Sequence, residues 1–177
     1  MLVGRSNVGK SSLINALTRQ TVARTSAAPG KTRLANVYRI ERAGTALHLI
    51  DLPGYGYASG HKADGSGQPE FGEIARVVFE RTPAALLLVD SRHPGLASDR
   101  AAWQWLSGAA ANAAVVATKI DKLARGERIR AMRQLESVFD APVVPVSAET
   151  GEGMEELWKL IASLPTPRPP RRKNPNA

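Results

Sequence analysis

The sequence contains no cysteine, few aromatic residues and no long apolar run. Without cysteine there can be no disulfide framework, no thiolate metal site and no cysteine nucleophile, a composition that fits the reducing cytoplasm. Aromatic residues make up 5% of the chain, which leaves little material for the stacking platforms of single-strand nucleic-acid binders. No apolar run approaches a membrane span and no signal peptide precedes the first motif, so we expect a cytoplasmic protein with no membrane partner.

What the sequence does contain is typical of one globular domain with a substantial core. The chain has 177 residues, of which 43% are hydrophobic and 23% charged. Its net charge of +8 favours a polyanionic partner, although a solvated basic surface would give the same balance.

Residues 4–11, with the sequence GRSNVGKS, match the phosphate-binding pattern Gly-x-x-x-x-Gly-Lys-[Ser/Thr]. The two glycines let the backbone curl so that its N–H groups converge on an anion, and a helix predicted over 11–17 points its positive end at the same place. Lys10 is expected to reach the β- and γ-phosphates, and the Ser11 hydroxyl to bind Mg²⁺. The alternative is a glycine-rich turn before an ordinary helix. The predicted phosphate-binding residues are Gly4, Arg5, Ser6, Asn7, Val8, Gly9, Lys10, Ser11 and Ser12.

Strands and helices alternate along the chain, which predicts an α/β fold with a mostly parallel, six-stranded, doubly wound sheet flanked by helices. Apolar runs predict strands over residues 1–3, 35–41, 45–51, 84–90, 113–118 and 142–146. Helical periods predict helices over residues 11–17, 70–81, a segment capped by Ser98 and running through Leu106, 127–138 and 154–164. In the fourth of these helices, Ile129, Met132, Leu135 and Val138 are expected to form the apolar face.

Two domain segments are predicted. Residues 1–164 are expected to form the nucleotide-binding domain. Residues 165–177 hold five prolines and four positive charges without an acid, which indicates a disordered tail that either contacts phosphate loosely or is simply solvated.

Two further segments are expected to complete the phosphate site. In Asp51-Leu52-Pro53-Gly54, Asp51 is predicted to hold Mg²⁺ through water, and the N–H of Gly54 to approach the γ-phosphate. Thr32, in a polar loop, is predicted to close over Mg²⁺ and the γ-phosphate. Its neighbours predicted to line the nucleotide are Gly30, Lys31, Arg33 and Leu34.

The segment Thr118-Lys119-Ile120-Asp121 predicts recognition of guanine, and hence of GTP. The carboxylate of Asp121 can accept hydrogen bonds from guanine N1–H and the 2-amino group, whereas adenine has neither donor. The stem of Lys119 is expected to pack on the purine. In Val146-Ser147-Ala148, the backbone N–H groups of Ser147 and Ala148 are expected to face guanine O6.

Together these segments resemble the EngB (YihA/YsxC) family of bacterial GTPases, within the translation-factor-like P-loop class. The resemblance covers residues 1 to about 164, and its discriminating features are the Gly-Tyr-Gly-Tyr-Ala run at 54–58 and Thr118 in place of Asn before Lys119. It further rests on residues 4–15, 29–32, 51–58, 90–93 and 118–123. The resemblance implies a Ras-like fold and a monomer that hydrolyses GTP with Mg²⁺. It also implies a switch in assembly of the large ribosomal subunit on ribosomal RNA, and hence a role in bacterial growth and division.

Hydrolysis is expected to depend on Lys10, Thr32 and Gly54. Ras-like enzymes place a water-orienting Gln directly after Asp-x-x-Gly, whereas this chain has Tyr55 there, which we interpret as a packing or partner-facing residue. The resemblance implies a K⁺ site at Asn7, although that side chain could instead stabilise its loop by a hydrogen bond. We therefore expect slow intrinsic hydrolysis, stimulated by a partner or by K⁺.

Two other functions remain open from the sequence. One is a nucleotide-gated module that binds RNA or the ribosome with little catalysis of its own. The other is an ATP-dependent P-loop kinase or transport ATPase, which conflicts with Asp121.

The first strand is expected to be short. Members of the family carry further residues ahead of the phosphate loop, so either the start codon is misplaced or the sequence is a fragment. Because this strand is central in the topology, its shortening should destabilise the sheet.

Overall fold

A computed structural model describes residues 1–23, 35–42, 44–55, 84–110 and 112–164. The helix predicted over 70–81, the tail at 165–177 and the loop containing Thr32 lie outside these residues.

The described residues form one six-stranded sheet in which only the first pair is antiparallel. Its strands are β1 (Leu2–Gly4), β2 (Asn36–Arg42), β3 (Thr45–Asp51), β4 (Ala84–Asp90), β5 (Asn112–Thr118) and β6 (Val143–Pro145). They lie in the order β2-β3-β1-β4-β5-β6, with β2 antiparallel to β3 and every other neighbour parallel. The predicted α/β fold with a mostly parallel sheet is confirmed, and the three-residue β1 lies at its centre.

Helices cover both faces of this sheet. Within the described ranges they are α1 (Lys10–Thr18), α2 (Ala97–Ala109), α3 (Arg125–Phe139) and α4 (Met154–Ser163), with a 3₁₀ turn at Ile120–Lys122. Strand β4 is buried along its whole length because alternate side chains enter opposite cores. Leu87 packs in the core that contains Leu106 of α2 and Leu135 of α3, whereas Leu88 packs in the core that contains Leu13 of α1 and Leu157 of α4.

Two local predictions are wrong. Ser98 does not cap α2, because Leu96 is the N-cap and its carbonyl accepts the N–H groups of Asp99 and Arg100, which leaves Ser98 in the first turn. The predicted apolar face of α3 is wrong at Ile129, which is 48% exposed, whereas Leu135 is buried and Met132 and Val138 pack against the core. Ala131 and Phe139 complete the buried side with Leu135, as an i, i+4, i+8 stripe.

The carboxyl ends of the parallel strands meet at one edge of the sheet, where α/β proteins place their ligands. Gly4, Asp51, Asp90 and Thr118 are the last residues of β1, β3, β4 and β5. The predicted motifs therefore converge on this edge. Among the described helices, none is long and apolar enough to cross a membrane.

Candidate nucleotide-binding site

The loop between β1 and α1 has the backbone curl expected of a phosphate cradle. Gly9 has a φ of 109° and Asn7 a φ of 62°, conformations that glycine adopts freely and that asparagine tolerates better than most residues. At Gly4 the constraint is space, because a Cβ there would lie 2.8 Å from the carbonyl oxygen of Leu88. These positions explain why the loop needs the glycines of its motif.

The ammonium group of Lys10 lies inside this curl. Its Nζ donates hydrogen bonds to the carbonyl oxygens of Gly4, at 2.9 Å, and Arg5, at 3.3 Å. Burial lowers the pKa of Lys10, and the nearby negative charge of Asp51 partly opposes that shift. Ser11 and Ser12 follow in the first turn of α1, whose positive end faces the loop. A positive charge is thus held where the motif predicts the phosphates.

Asp51 has the properties of an outer Mg²⁺ ligand. Its side chain is buried at the end of β3, and its Oδ1 has no hydrogen-bond partner among the residues that the structure describes. Burial raises the pKa of Asp51, while the positive charge of Lys10 lowers it. A buried carboxylate oxygen without a partner is costly, so this residue fits a role in binding a hydrated cation. Thr32, the third predicted ligand, lies outside the described residues, as do Gly30, Lys31, Arg33 and Leu34.

Gly54 packs directly against the phosphate loop. A Cβ at Gly54 would lie 2.8 Å from the backbone nitrogen of Ser6, so this contact requires glycine. The N–H of Ser6 donates to the carbonyl of Tyr55 at 3.2 Å, and Arg5 and Tyr55 form an isolated parallel β-bridge. Leu52 is buried and Pro53 half-buried between these residues and β3. The segment that follows Asp51 therefore runs alongside the loop that binds phosphate.

A cavity of about 150 Å³ opens between the phosphate loop, the end of β5 and the segment after β6. It is lined by Gly9, Ser12, Leu13, Thr118, Lys119, Asp121, Lys122, Val146, Ala148 and Glu149. Burial would raise the pKa of Asp121, but hydrogen bonds from Ser147 and Lys122 outweigh it and lower that pKa. The cavity thus offers an ionised carboxylate as a hydrogen-bond acceptor. Ile120 is buried beneath it.

Thr118 and Lys119 connect this cavity to the phosphate loop. The Thr118 hydroxyl lies 2.6 Å from the carbonyl oxygen of Val8 and 3.1 Å from that of Val89. The Nζ of Lys119 donates to the carbonyl of Asn7 and, at 2.9 Å, to Oδ2 of Asp90. The base pocket and the phosphate cradle are therefore one hydrogen-bonded unit.

One part of the predicted base recognition is wrong. The N–H of Ser147 donates to the carbonyl of Glu152 at 2.9 Å and cannot also face guanine O6. This bond forms because the chain turns tightly after β6, with Gly153 pressed against the carbonyl of Pro145. The Ser147 hydroxyl accepts the N–H groups of Glu149 and Thr150, so Ser147 shapes the loop and leaves Ala148 to line the cavity.

Two acidic residues in this region were not among the predicted site residues. Arg92 forms a bidentate ion pair with Asp90, which also binds Lys119; burial would raise the pKa of Asp90, but these hydrogen bonds lower it. Its position at the end of a buried strand could have identified Asp90 as a candidate site residue. Asp99, on α2, binds Arg5 and Tyr55 and is 1% exposed. No pattern in the sequence marks Asp99.

The sequence and the fold both have close counterparts among known proteins. The family model described as 50S ribosome-binding GTPase matches residues 1–119. The "Probable GTP-binding protein EngB" of Heliobacterium modesticaldum is 42% identical over 165 residues, which cover 90% of this chain and 79% of that protein.

Solved structures show the same fold. The crystal structure of Era in complex with MgGDPNP and nucleotides 1506–1542 of 16S ribosomal RNA is 26% identical, with a TM-score of 0.78, and the match covers 95% of this chain but 57% of the Era chain. The crystal structure of a probable GTP-binding protein engB is 23% identical, with a TM-score of 0.68 and coverage of 91% and 94% of the two chains. With its phosphate loop, its Asp121 pocket and these counterparts, the chain belongs to the EngB family of GTP-binding proteins and carries a Ras-like P-loop GTPase domain.

Proposed function

We propose that this GTPase is a cytoplasmic, monomeric switch in assembly of the large ribosomal subunit, with a GTP form that docks on ribosomal RNA. The observation that carries the switch is the direct contact between the phosphate loop and the Gly54 segment. In such a site, contact between the γ-phosphate and Gly54 can change the conformation of the residues that follow Gly54.

Selection of guanine is assigned to Asp121. Its carboxylate is ionised at neutral pH and lines the cavity, where guanine N1–H and the 2-amino group would be its donors. Adenine has neither of these donors, and the loss of such hydrogen bonds costs on the order of a few kcal/mol. The backbone of Ala148 is the remaining candidate for guanine O6.

Mg²⁺ would be held by Ser11 and Thr32 and, through water, by Asp51. When bound, it neutralises charge on the β- and γ-phosphate oxygens. The Oδ1 of Asp51, which no other described residue contacts by a hydrogen bond, supports this assignment.

Catalysis is assigned to Lys10, Thr32 and the N–H of Gly54, which bind and orient the phosphates. Tyr55 is 8% exposed and its hydroxyl donates to Oδ1 of Asp99 at 2.9 Å, so it does not replace the water-orienting glutamine of Ras-like enzymes. Slow intrinsic hydrolysis and stimulation by a partner follow from this arrangement.

Asn7 is proposed as a K⁺ ligand. Asn7 is exposed in the phosphate loop, and its backbone has the left-handed conformation. Asn7→Gly removes the amide while keeping a residue that suits this backbone. We expect faster GTP hydrolysis in K⁺ than in Na⁺ for the unchanged protein and no difference for Asn7→Gly. Equal rates in the two salts for the unchanged protein, free and with ribosomes, would remove this assignment.

The large ribosomal subunit is proposed as the partner because of the net charge of +8 and the description of the matching family as 50S ribosome-binding. The basic residues 165–177 are proposed to add electrostatic contact with RNA. Co-sedimentation with purified large or small subunits, in GDP or in the β,γ-imido analogue of GTP, tests this assignment. We expect binding to large subunits in the analogue only. Equal binding to both subunits, or in both nucleotides, contradicts it.

A nucleotide-gated binding module with little catalysis is the second candidate. The observation that favours it is Tyr55, whose hydroxyl is held by Asp99. Hydrolysis measured with ribosomal subunits separates the two candidates.

A further inference from the structure

Arg5 and Tyr55 are paired neighbours that share one acceptor. The parallel pairing of β1 with β3 begins at Leu2 and Asp51 and resumes at the bridge between Arg5 and Tyr55. Arg5 donates through Nε at 3.1 Å, and Tyr55 through its hydroxyl at 2.9 Å, to the same Oδ1 of Asp99. Three segments that are far apart in the sequence therefore meet at one carboxylate oxygen.

The junction of these segments, Arg5–Asp99–Tyr55, is almost closed to water. Asp99 is 1% exposed, Tyr55 is 8% exposed and the Arg5 side chain is 26% exposed. Burial raises the pKa of Asp99, although Arg5 and Tyr55 pull it down. A buried carboxylate that is bonded to a cation and a hydroxyl is costly to separate from either, so its geometry is firmly set.

Gly54 is fixed by this junction. It precedes Tyr55 directly, and its Cα faces the backbone of Ser6 with no room for a Cβ. Because Tyr55 is bound at its side chain by Asp99 and at its carbonyl by the N–H of Ser6, the peptide of Gly54 has little freedom to slide along the phosphate loop.

We propose that Asp99 is a positioning residue for the γ-phosphate, which acts by holding Tyr55 and Arg5 in register and so sets where the N–H of Gly54 points. This inference rests on the proposed switch function. GDP has no γ-phosphate for Gly54 to contact, so loss of the junction should weaken binding and hydrolysis of GTP more than binding of GDP. Because Asp99 lies on α2, the same junction links the position of α2 to whether GTP or GDP is bound.

The test compares Tyr55→Phe, which removes one oxygen, and Asp99→Asn, which removes the charge, with the unchanged protein. Trp103→Phe is the matched control, because it breaks a hydrogen bond from the same helix, to the carbonyl of Phe139 at 2.9 Å, away from the junction. Affinities for GDP and for the β,γ-imido analogue of GTP, single-turnover hydrolysis and thermal melting are measured for each protein.

We expect Tyr55→Phe and Asp99→Asn to bind the analogue about tenfold more weakly and to hydrolyse GTP more slowly, with GDP affinity within about twofold of the unchanged protein. Trp103→Phe should lower the melting temperature without changing the ratio of the two affinities. The proposal is overturned if that ratio is unchanged in Tyr55→Phe, if GDP affinity falls equally, or if Trp103→Phe shifts the ratio as much.

If Asp99→Asn does not fold, Tyr55→Phe decides alone. The proposed function fails separately, when the unchanged protein shows no preference for GTP over ATP.

Discussion

The hydroxyl of Thr118 lies 2.6 Å from the carbonyl oxygen of Val8. This contact joins the last residue of β5 to the phosphate loop, and both residues are buried. Because β5 ends at the predicted base pocket, this contact also fixes the position of the phosphate loop relative to that pocket. Together with the hydrogen bond from Lys119 to the carbonyl of Asn7, this contact holds the two halves of the candidate nucleotide site at a fixed separation.

Thr118→Val should weaken binding of GDP and of GTP equally, by about tenfold, because the valine keeps the shape but leaves the carbonyl of Val8 without its partner. Equilibrium titration with a fluorescent nucleotide measures both affinities. Thr18→Val is the matched control, since the acceptors of the Thr18 hydroxyl among the described residues are carbonyls of α1 and of Gln20 just after it. Unchanged affinity in Thr118→Val would show that the contact does not organise the site.

Asp51→Asn should stabilise the nucleotide-free protein in the absence of Mg²⁺, by about 1 kcal/mol, because it removes a buried charge whose Oδ1 has no partner within the described ranges. The same change should sharply weaken Mg²⁺-dependent binding of GTP. Urea unfolding with EDTA and GTP titration with Mg²⁺ measure the two effects, with Glu41→Gln, at an exposed position of β2, as control. A loss of stability with EDTA would contradict the interpretation of Asp51 as a metal ligand.

Asp121→Asn should reduce GTP affinity on the order of a hundredfold and admit xanthosine triphosphate, whose C2 oxygen needs a donor. Glu149→Gln tests for a general effect of charge, because Glu149 lines the same cavity and, like Asp121, binds Lys122. Competition binding with GTP, ATP and xanthosine triphosphate is the measurement. Retained GTP preference in Asp121→Asn would count against the base assignment.

Asp90→Asn should destabilise the protein at neutral pH by about 2 kcal/mol, because the carboxylate holds both Arg92 and Lys119. The pKa of Asp90 is lowered in the folded protein, so its stabilisation is complete above the ordinary aspartate pKa of about 3.9 and fades as the pH falls below it. The difference in free energy of unfolding between the unchanged protein and Asp90→Asn should therefore be the same at pH 7 and pH 5 and smaller at pH 3.5. Urea unfolding at these three pH values checks the sign, and a gap that widens in acid would be inconsistent with it.

Much of the fold could be predicted because local and long-range signals agree. The run at 84–90 is apolar at every position before Asp90, and the structure buries it on both faces. The motif glycines could likewise be predicted. A Cβ at Gly4 or Gly54 would clash with neighbouring backbone atoms, and Gly9 has a positive φ that other residues rarely adopt.

What could not be predicted depends on contacts between distant segments. Ile129 fits an apolar face by spacing, but the packing of α3 on the sheet buries Ala131 and Phe139 beside the predicted Leu135 and leaves Ile129 exposed. Asp99 is one acid in an ordinary helix until the fold brings Arg5 and Tyr55 to it. The N–H of Ser147 donates to the carbonyl of Glu152 because of a turn that no single residue type predicts.

Single-turnover hydrolysis of GTP, with and without purified large ribosomal subunits, decides whether this GTPase is timed by the ribosome. We predict slow hydrolysis by the free protein and at least a tenfold increase on addition of large subunits, with no increase on addition of small subunits. Rates that stay equally slow with and without large subunits would contradict a GTP-timed assembly factor and favour a binding module.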